Sequence, residues 1–141
     1  MASHYISNYV SRVTRCYQNI CRNLVKTPLE YNKRLSDIYH TNIFLKREDL
    51  QLTRSFKIRG ATNKIMSLSP DSLKNGVVCA SAGNHAQGFA YICHKLGIKG
   101  DVFLPETTPL QKINRIHYFG KDSINTHKTG KNFNEALSAS L

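Results

Sequence analysis

Two stretches of this 141-residue chain combine residue types and spacings that could do chemistry. In the first, Ser55-Phe56-Lys57-Ile58-Arg59-Gly60-Ala61, a lysine stands where a helix is expected to begin, with Ser55 as its N-cap. The positive end of a helix dipole disfavours an ammonium charge, and an uncharged amine is what a nucleophilic or Schiff-base lysine requires. The second stretch, Ala80-Ser81-Ala82-Gly83-Asn84-His85-Ala86-Gln87-Gly88, follows an expected strand and opens an expected helix. Backbone N–H groups and the helix dipole at such a junction bind carboxylate or phosphate, which makes Ser81 to His85 a candidate anion loop. Each stretch also has an ordinary reading, a solvated surface lysine and a simply capped helix start. Gly83 and Gly88 carry the spacing of a Walker A loop, but Phe89 stands where lysine is required. Gly130-Lys131 fails too, with Asn125 in place of the first glycine and Asn132 in place of Ser/Thr.

The elements that must position these residues are read from periodicity. Ile6, Val10, Val13, Tyr17, Ile20, Cys21 and Leu24 recur at helical spacing, and Thr27-Pro28 is expected to stop that helix. Leu29 to Tyr39 reads as a second, short helix, Asn42 to Lys46 as a strand, and Ser55 to about Ile65 as a helix broken by Ser69-Pro70-Asp71. Gly76 to Ala80 reads as a buried strand, and Asn84 to Leu96 as a helix closed by Gly97. Strand Asp101 to Leu104, helix Pro109 to Phe119 closed by Gly120, strand Ser123 to Thr126 and a helix from Phe133 follow. Such alternation predicts an α/β fold, a parallel sheet with helices on both faces and right-handed crossovers. The helix from Phe133 reaches Leu141 without a recognisable C-cap, so the array reads as interrupted rather than finished.

Composition narrows the function classes. One core and one domain fit this length. No run approaches the roughly 18 apolar residues of a membrane helix, and Met1 to Tyr9 lack a secretory layout, so a cytoplasmic protein without membrane contact is expected. Cys16, Cys21, Cys79 and Cys93 form no Cys-x-x-Cys pair and the six histidines are scattered, so neither a metal site nor structural disulfides are expected. Twenty Lys/Arg against nine Asp/Glu give +11, yet the charge is spread without a basic run, and no nucleic-acid partner is expected.

Leu45-Lys46-Arg47-Glu48-Asp49-Leu50-Gln51, Ser55 to Ala61 and Ala80 to Gly88 resemble, in order and spacing, three signature blocks of the threonine/serine dehydratases. These are fold type II (tryptophan-synthase-β-like) pyridoxal-phosphate enzymes. Thr27-Pro28-Leu29 and Leu104-Pro105 to Lys112 also resemble the family, so the likeness runs from about Lys26 to Leu137. His85-Ala86-Gln87 leans towards members acting on threonine rather than serine.

The resemblance implies pyridoxal 5'-phosphate as cofactor, Lys57 as the catalytic, cofactor-bearing lysine, Phe56 against the cofactor ring, and Asn84 on its ring hydroxyl. Ser81, Gly83, Asn84 and His85 would bind the substrate carboxylate; Arg59, Glu48 and Asp49 would pair or cap nearby. The implied reaction is β-elimination of L-threonine, or L-serine in relatives, to 2-oxobutanoate and ammonia, the first step of isoleucine biosynthesis, in a homo-oligomer. It also implies a division at residue 40, with 1–40 a helical segment of a large domain and 41–141 the small domain carrying the lysine. The family's glycine-rich phosphate loop has no counterpart here, since no Gly-Gly-Gly run occurs. The expectation is therefore an N-terminal part of such an enzyme, with weak cofactor binding and no turnover by the isolated chain; a catalytically inactive remnant is the competing reading.

Overall fold

The computed structural model describes residues 2–141, with side-chain surroundings from residue 6 onward. Helix α1 (Ala2–Ile20) gathers its apolar residues on one face, and of these only Ile20 is buried among the described side chains; Ile6, Val10, Val13 and Tyr17 stay exposed. The helix ends at Ile20, well before Pro28. A turn at Cys21 to Asn23 and an extended run follow, because the Gln51 amide takes both backbone groups of Val25, donating to its C=O at 2.9 Å and accepting from its N–H at 3.0 Å.

The single helix expected over Leu29 to Tyr39 is instead a strand and a helix, β1 (Leu29–Tyr31) and α2 (Lys33–Tyr39). Pro28 fixes an extended entry. Tyr31 pairs across to Phe44 with the rings edge-on at 5.5 Å, and Asn32 caps α2 by accepting from the Leu35 N–H. The partner strand β2 (Phe44–Lys46) runs antiparallel to β1, with Leu29 opposite Lys46.

Next come α3 (Lys57–Met66), the one-turn α4 (Pro70–Leu73) capped by Ser69, β3 (Val77–Ala80) and α5 (Asn84–Leu96). The chain continues through β4 (Gly100–Leu104), α6 (Leu110–Gly120), β5 (Ile124–Lys128) and α7 (Phe133–Ala139). Helix α5 has the limits its sequence predicts, closed by Gly97 at φ 67, where a side chain would be strained. Helix α7 does end inside the chain, its Ser140 N–H bonding the carbonyls of Leu137 and Ser138, so the expectation of an uncapped helix is corrected.

Strands β3, β4 and β5 form one parallel sheet in that order, flanked by helices. Helices α5 and α6 cover one face. There Phe89, Ile92, Cys93, Val102, Leu104, Ile116 and Ile124 make the core, each large side chain contributing about 1.5–3 kcal/mol by burial. Helix α7 packs against β4 and β3 outside that cluster and buries Ala136. Along β4 the buried residues Gly100, Val102 and Leu104 alternate with Asp101 and Phe103, which face the other way towards His127; Asp101 bonds that imidazole at 2.6 Å. Strand β3 is less buried than its apolar sequence predicts, with Val78 54% exposed, because β3 lies at the sheet edge.

Candidate active site

The turn before α3 places the lysine. Gln51, 1% exposed, anchors it, and Arg54 passes through the left-handed region at φ 58, with its N–H bonded to the Gln51 carbonyl. The helix opens at Lys57, two residues later than predicted. Ser55 still serves its start, its hydroxyl accepting from the Lys57 N–H at 3.3 Å. The Lys57 amine has no carboxylate or hydrogen-bond partner among the described residues, and it lies 5.1 Å from the centre of the Phe56 ring. Phe56 is 59% exposed, an open aromatic face rather than a core residue.

The acidic groups nearby are engaged elsewhere. Glu48 takes the Arg59 guanidinium in a two-pronged pair, 2.8 Å from Nε and 2.6 Å from Nη2, and also accepts from the Thr27 hydroxyl. The Arg59 bonds hold the Glu48 carboxyl below its ordinary range despite partial burial. Asp49 pairs with Arg47, whose other arm reaches Glu30. The role of Glu48 as a clamp on α3 is thus a pairing one, as its motif position suggested. The part played by Thr27 and Gln51 is new; their partners lie over twenty residues away in sequence, beyond the reach of any local pattern.

The second motif reaches the lysine through helix packing. A Cβ on Gly88 would lie 2.8 Å from the Ile58 Cα and 3.1 Å from its N, so α5 and α3 cross almost backbone to backbone. Only glycine permits that approach. It sets the start of α5 beside the start of α3, and Phe56, Lys57, Arg59, Gly60, Ala61 and His85 line one open cleft of about 350 Å³. Burial, joined by the nearby Lys57 charge, pushes the His85 imidazole below its ordinary value. Ser81, Gly83 and Asn84 do not line that cleft; they form the adjoining start of α5. There Ser81 accepts from the Gly83 N–H at 3.2 Å, and the first helical bond runs from Gln87 to Gly83. The N–H groups of Asn84, His85 and Ala86 consequently lack an intrahelical acceptor. Nothing stands within 4 Å of where a Gly83 side chain would be.

Lys57, Phe56 and His85 therefore share one cleft, with the start of α5 and its N–H groups beside it. The residues fit the linking end of an aldehyde cofactor, since an amine without an ionic partner lies against an exposed ring. Among the described residues no cluster of His, Cys, Asp or Glu could hold a metal ion, and no helix is long and apolar enough to cross a membrane.

A parallel sheet flanked by helices, as seen here, is the fold of the fold type II pyridoxal-phosphate enzymes. The model of the family described as "Pyridoxal-phosphate dependent enzyme" matches residues 20–141, and the chain belongs to that family. It is 51% identical over 126 residues to the biosynthetic L-threonine dehydratase IlvA of Bacillus subtilis, covering 89% of this chain and 30% of that protein. Among solved structures it resembles maize serine racemase, with a TM-score of 0.83 and 25% identity over 91% of this chain and 38% of that one. It also resembles the processed form of threonine deaminase isoform 2 from Solanum lycopersicum, with a TM-score of 0.78 and 36% identity over 92% and 36% of the two chains. The chain thus spans about three tenths of the length of the curated relatives it matches.

Proposed function

We propose that these residues form the lysine-bearing part of a threonine dehydratase, which converts L-threonine to 2-oxobutanoate and ammonia as the first step of isoleucine biosynthesis. The observation that carries the reading is the meeting of Lys57 with His85, in the first turn of α5, across the Gly88–Ile58 crossing. In this reading pyridoxal phosphate, when bound, supplies the electron sink for the carbanion left when the α-proton departs. Lys57 holds the cofactor and, once released from it, takes and returns the proton at the substrate carbons. Phe56 offers its open ring to the cofactor, and Asn84 its amide. The N–H groups at the start of α5, with Ser81, Gly83 and His85, orient the substrate carboxylate and so hold the α-carbon beside the Lys57 amine.

Residues 1–40 belong in this reading to a large domain and 41–141 to the small one. The working form is a cytoplasmic homo-oligomer that acts on L-threonine and has no nucleic-acid partner. The likeness to maize serine racemase favours a second reading, in which L-serine is the substrate.

Grafting residues 20–141 into the Bacillus subtilis relative in place of its matching segment tests the proposal. The graft is expected to deaminate threonine and to lose that activity with Lys57→Ala. An active Lys57→Ala graft would remove the catalytic assignment, and a graft several-fold faster on serine would overturn the substrate alone.

A further inference from the structure

We propose that the uncovered face of α1 is the seam of an antiparallel helix pair formed with a second copy of this chain. Ile6, Val10, Val13, Tyr17 and Ile20 follow one another at alternating steps of four and three residues. That is the strict heptad pattern of a helix-to-helix seam, narrower than the stripe with which a helix lies on a globular core. The fold covers only the end of it. Ile20 is 6% exposed, whereas Ile6, Val10, Val13 and Tyr17 are 64%, 57%, 50% and 49% exposed. Helix α1 is 19 residues long and has α3 as its chief neighbour, so most of the seam stands clear of the folded body.

The register selects the occupant. When α1 is laid antiparallel against itself, with a two-fold axis passing between positions 11 and 12, Ile6 faces Tyr17 of the second copy and Val10 faces its Val13. Each exposed seam residue thereby meets another, and the axis repeats both contacts. A parallel pair is disfavoured, because the fold already holds Ile20 and the two bodies would crowd the same end. Charge agrees with this pairing. Ser7, Tyr9, Thr14 and Cys16, which flank the seam in the heptad, are uncharged, and Arg12 and Arg15 fall on the rest of the helix surface. The net charge of +11 therefore does not repel at the contact itself. No acidic residue precedes Glu30, so a basic partner would find nothing to pair with along α1.

Four exposed seam residues on each copy fall short of the roughly 1,200 Å² of a standard stable complex. The pair is accordingly a weak one, with a dissociation constant of about 10–100 µM. It rests on α1 alone and does not depend on what Lys57 does.

Sedimentation equilibrium of the 141-residue chain tests it. The mean mass is expected to rise with concentration from monomer to dimer, and added salt to tighten the pair by screening the net charge. Val10→Glu and Val13→Lys should each weaken association by roughly a hundredfold, as a lone charge buried in an apolar seam implies. Both positions are exposed in the monomer, so Cys79 and Cys93 should stay protected from a disulfide reagent in either variant, which separates loss of pairing from loss of fold. Mixed together, the two variants should associate again, because positions 10 and 13 face each other across the axis and the introduced charges are opposite. A parallel pair sets 10 against 10 and 13 against 13, and mixing would not restore it. A parent that stays monomeric up to about 1 mM would overturn the proposal and leave the seam to a separate polypeptide. Variants that pair like the parent, or a mixture that stays apart, would overturn it as well.

Discussion

Gly88 and Ile58 touch through their backbones, and that contact joins the lysine segment to the anion loop. Any β-carbon at 88 must push α5 away from the first turn of α3. Gly88→Ala is expected to cost about 1–3 kcal/mol in urea denaturation, the range for overpacking a tight contact. It should also slow modification of Lys57 by pyridoxal phosphate, followed by borohydride reduction and mass mapping of the adduct. A neutral Gly88→Ala with unchanged labelling would mean that the crossing does not set the cleft.

Glu48 should act as an acid-sensitive clamp. Its carboxyl is held below the ordinary glutamate value in the fold, so its contribution is present above that value and is lost as pH falls through the lowered one. Glu48→Gln is expected to destabilise by about 1–3 kcal/mol near neutrality, as for a hydrogen-bonded partner left without its charge. The difference from the parent should shrink in acid. A gap that is constant from neutral to acidic pH would contradict the clamp.

His85 should report on its lysine neighbour. Its imidazole titrates below the ordinary value first through burial and then through the Lys57 charge. In Lys57→Ala the NMR titration midpoint of His85 should rise but remain below the ordinary histidine value, because burial remains. The native shift favours neutral His85, so its contribution to stability falls as pH drops through the ordinary histidine value and levels off below the lowered one. An unmoved midpoint would place the lysine away from the cleft.

Burial pushes the Cys79 and Cys93 thiols up to about 12, whereas Cys21 is exposed. An aromatic disulfide reagent should therefore modify Cys21 rapidly, and Cys79 and Cys93 only with global unfolding. Rapid reaction of all four cysteines in the native chain would show that the β3–α5 core opens locally.

The sequence made the parallel array legible because its strands and helices are separated by strong local signals such as Gly97; Gly120, expected to close α6, is instead its last helical residue, and the left-handed turn falls at Lys121. Helix α5 could be bounded to the residue for that reason. The stretch after Pro28 was misread as a helix because Leu29 and Tyr31 gain their strand character from Lys46 and Phe44, which no local window contains. The edge position of β3 was equally hidden, since an apolar run does not reveal whether both its sides are covered. In the candidate site the two motifs were visible, and so was a pairing role for Glu48. The route by which they meet was not, because Gly88 reads as a helix residue until Ile58 is placed against it. Arg54 and Lys121 become unusual only when their backbone angles are known.

The Gln51 amide has one further effect. Bonded to both the N–H and the C=O of Val25, it acts as a borrowed rung of β-ladder, latching the end of the α1 segment to the turn that presents Lys57. It is one tie among several, since Ile20 is buried, Asn23 bonds Met66 and Tyr91, and Thr27 bonds Glu48 and Lys46. The position of α1 and the turn before Lys57 are therefore set together, through contacts spread from Ile20 to Thr27.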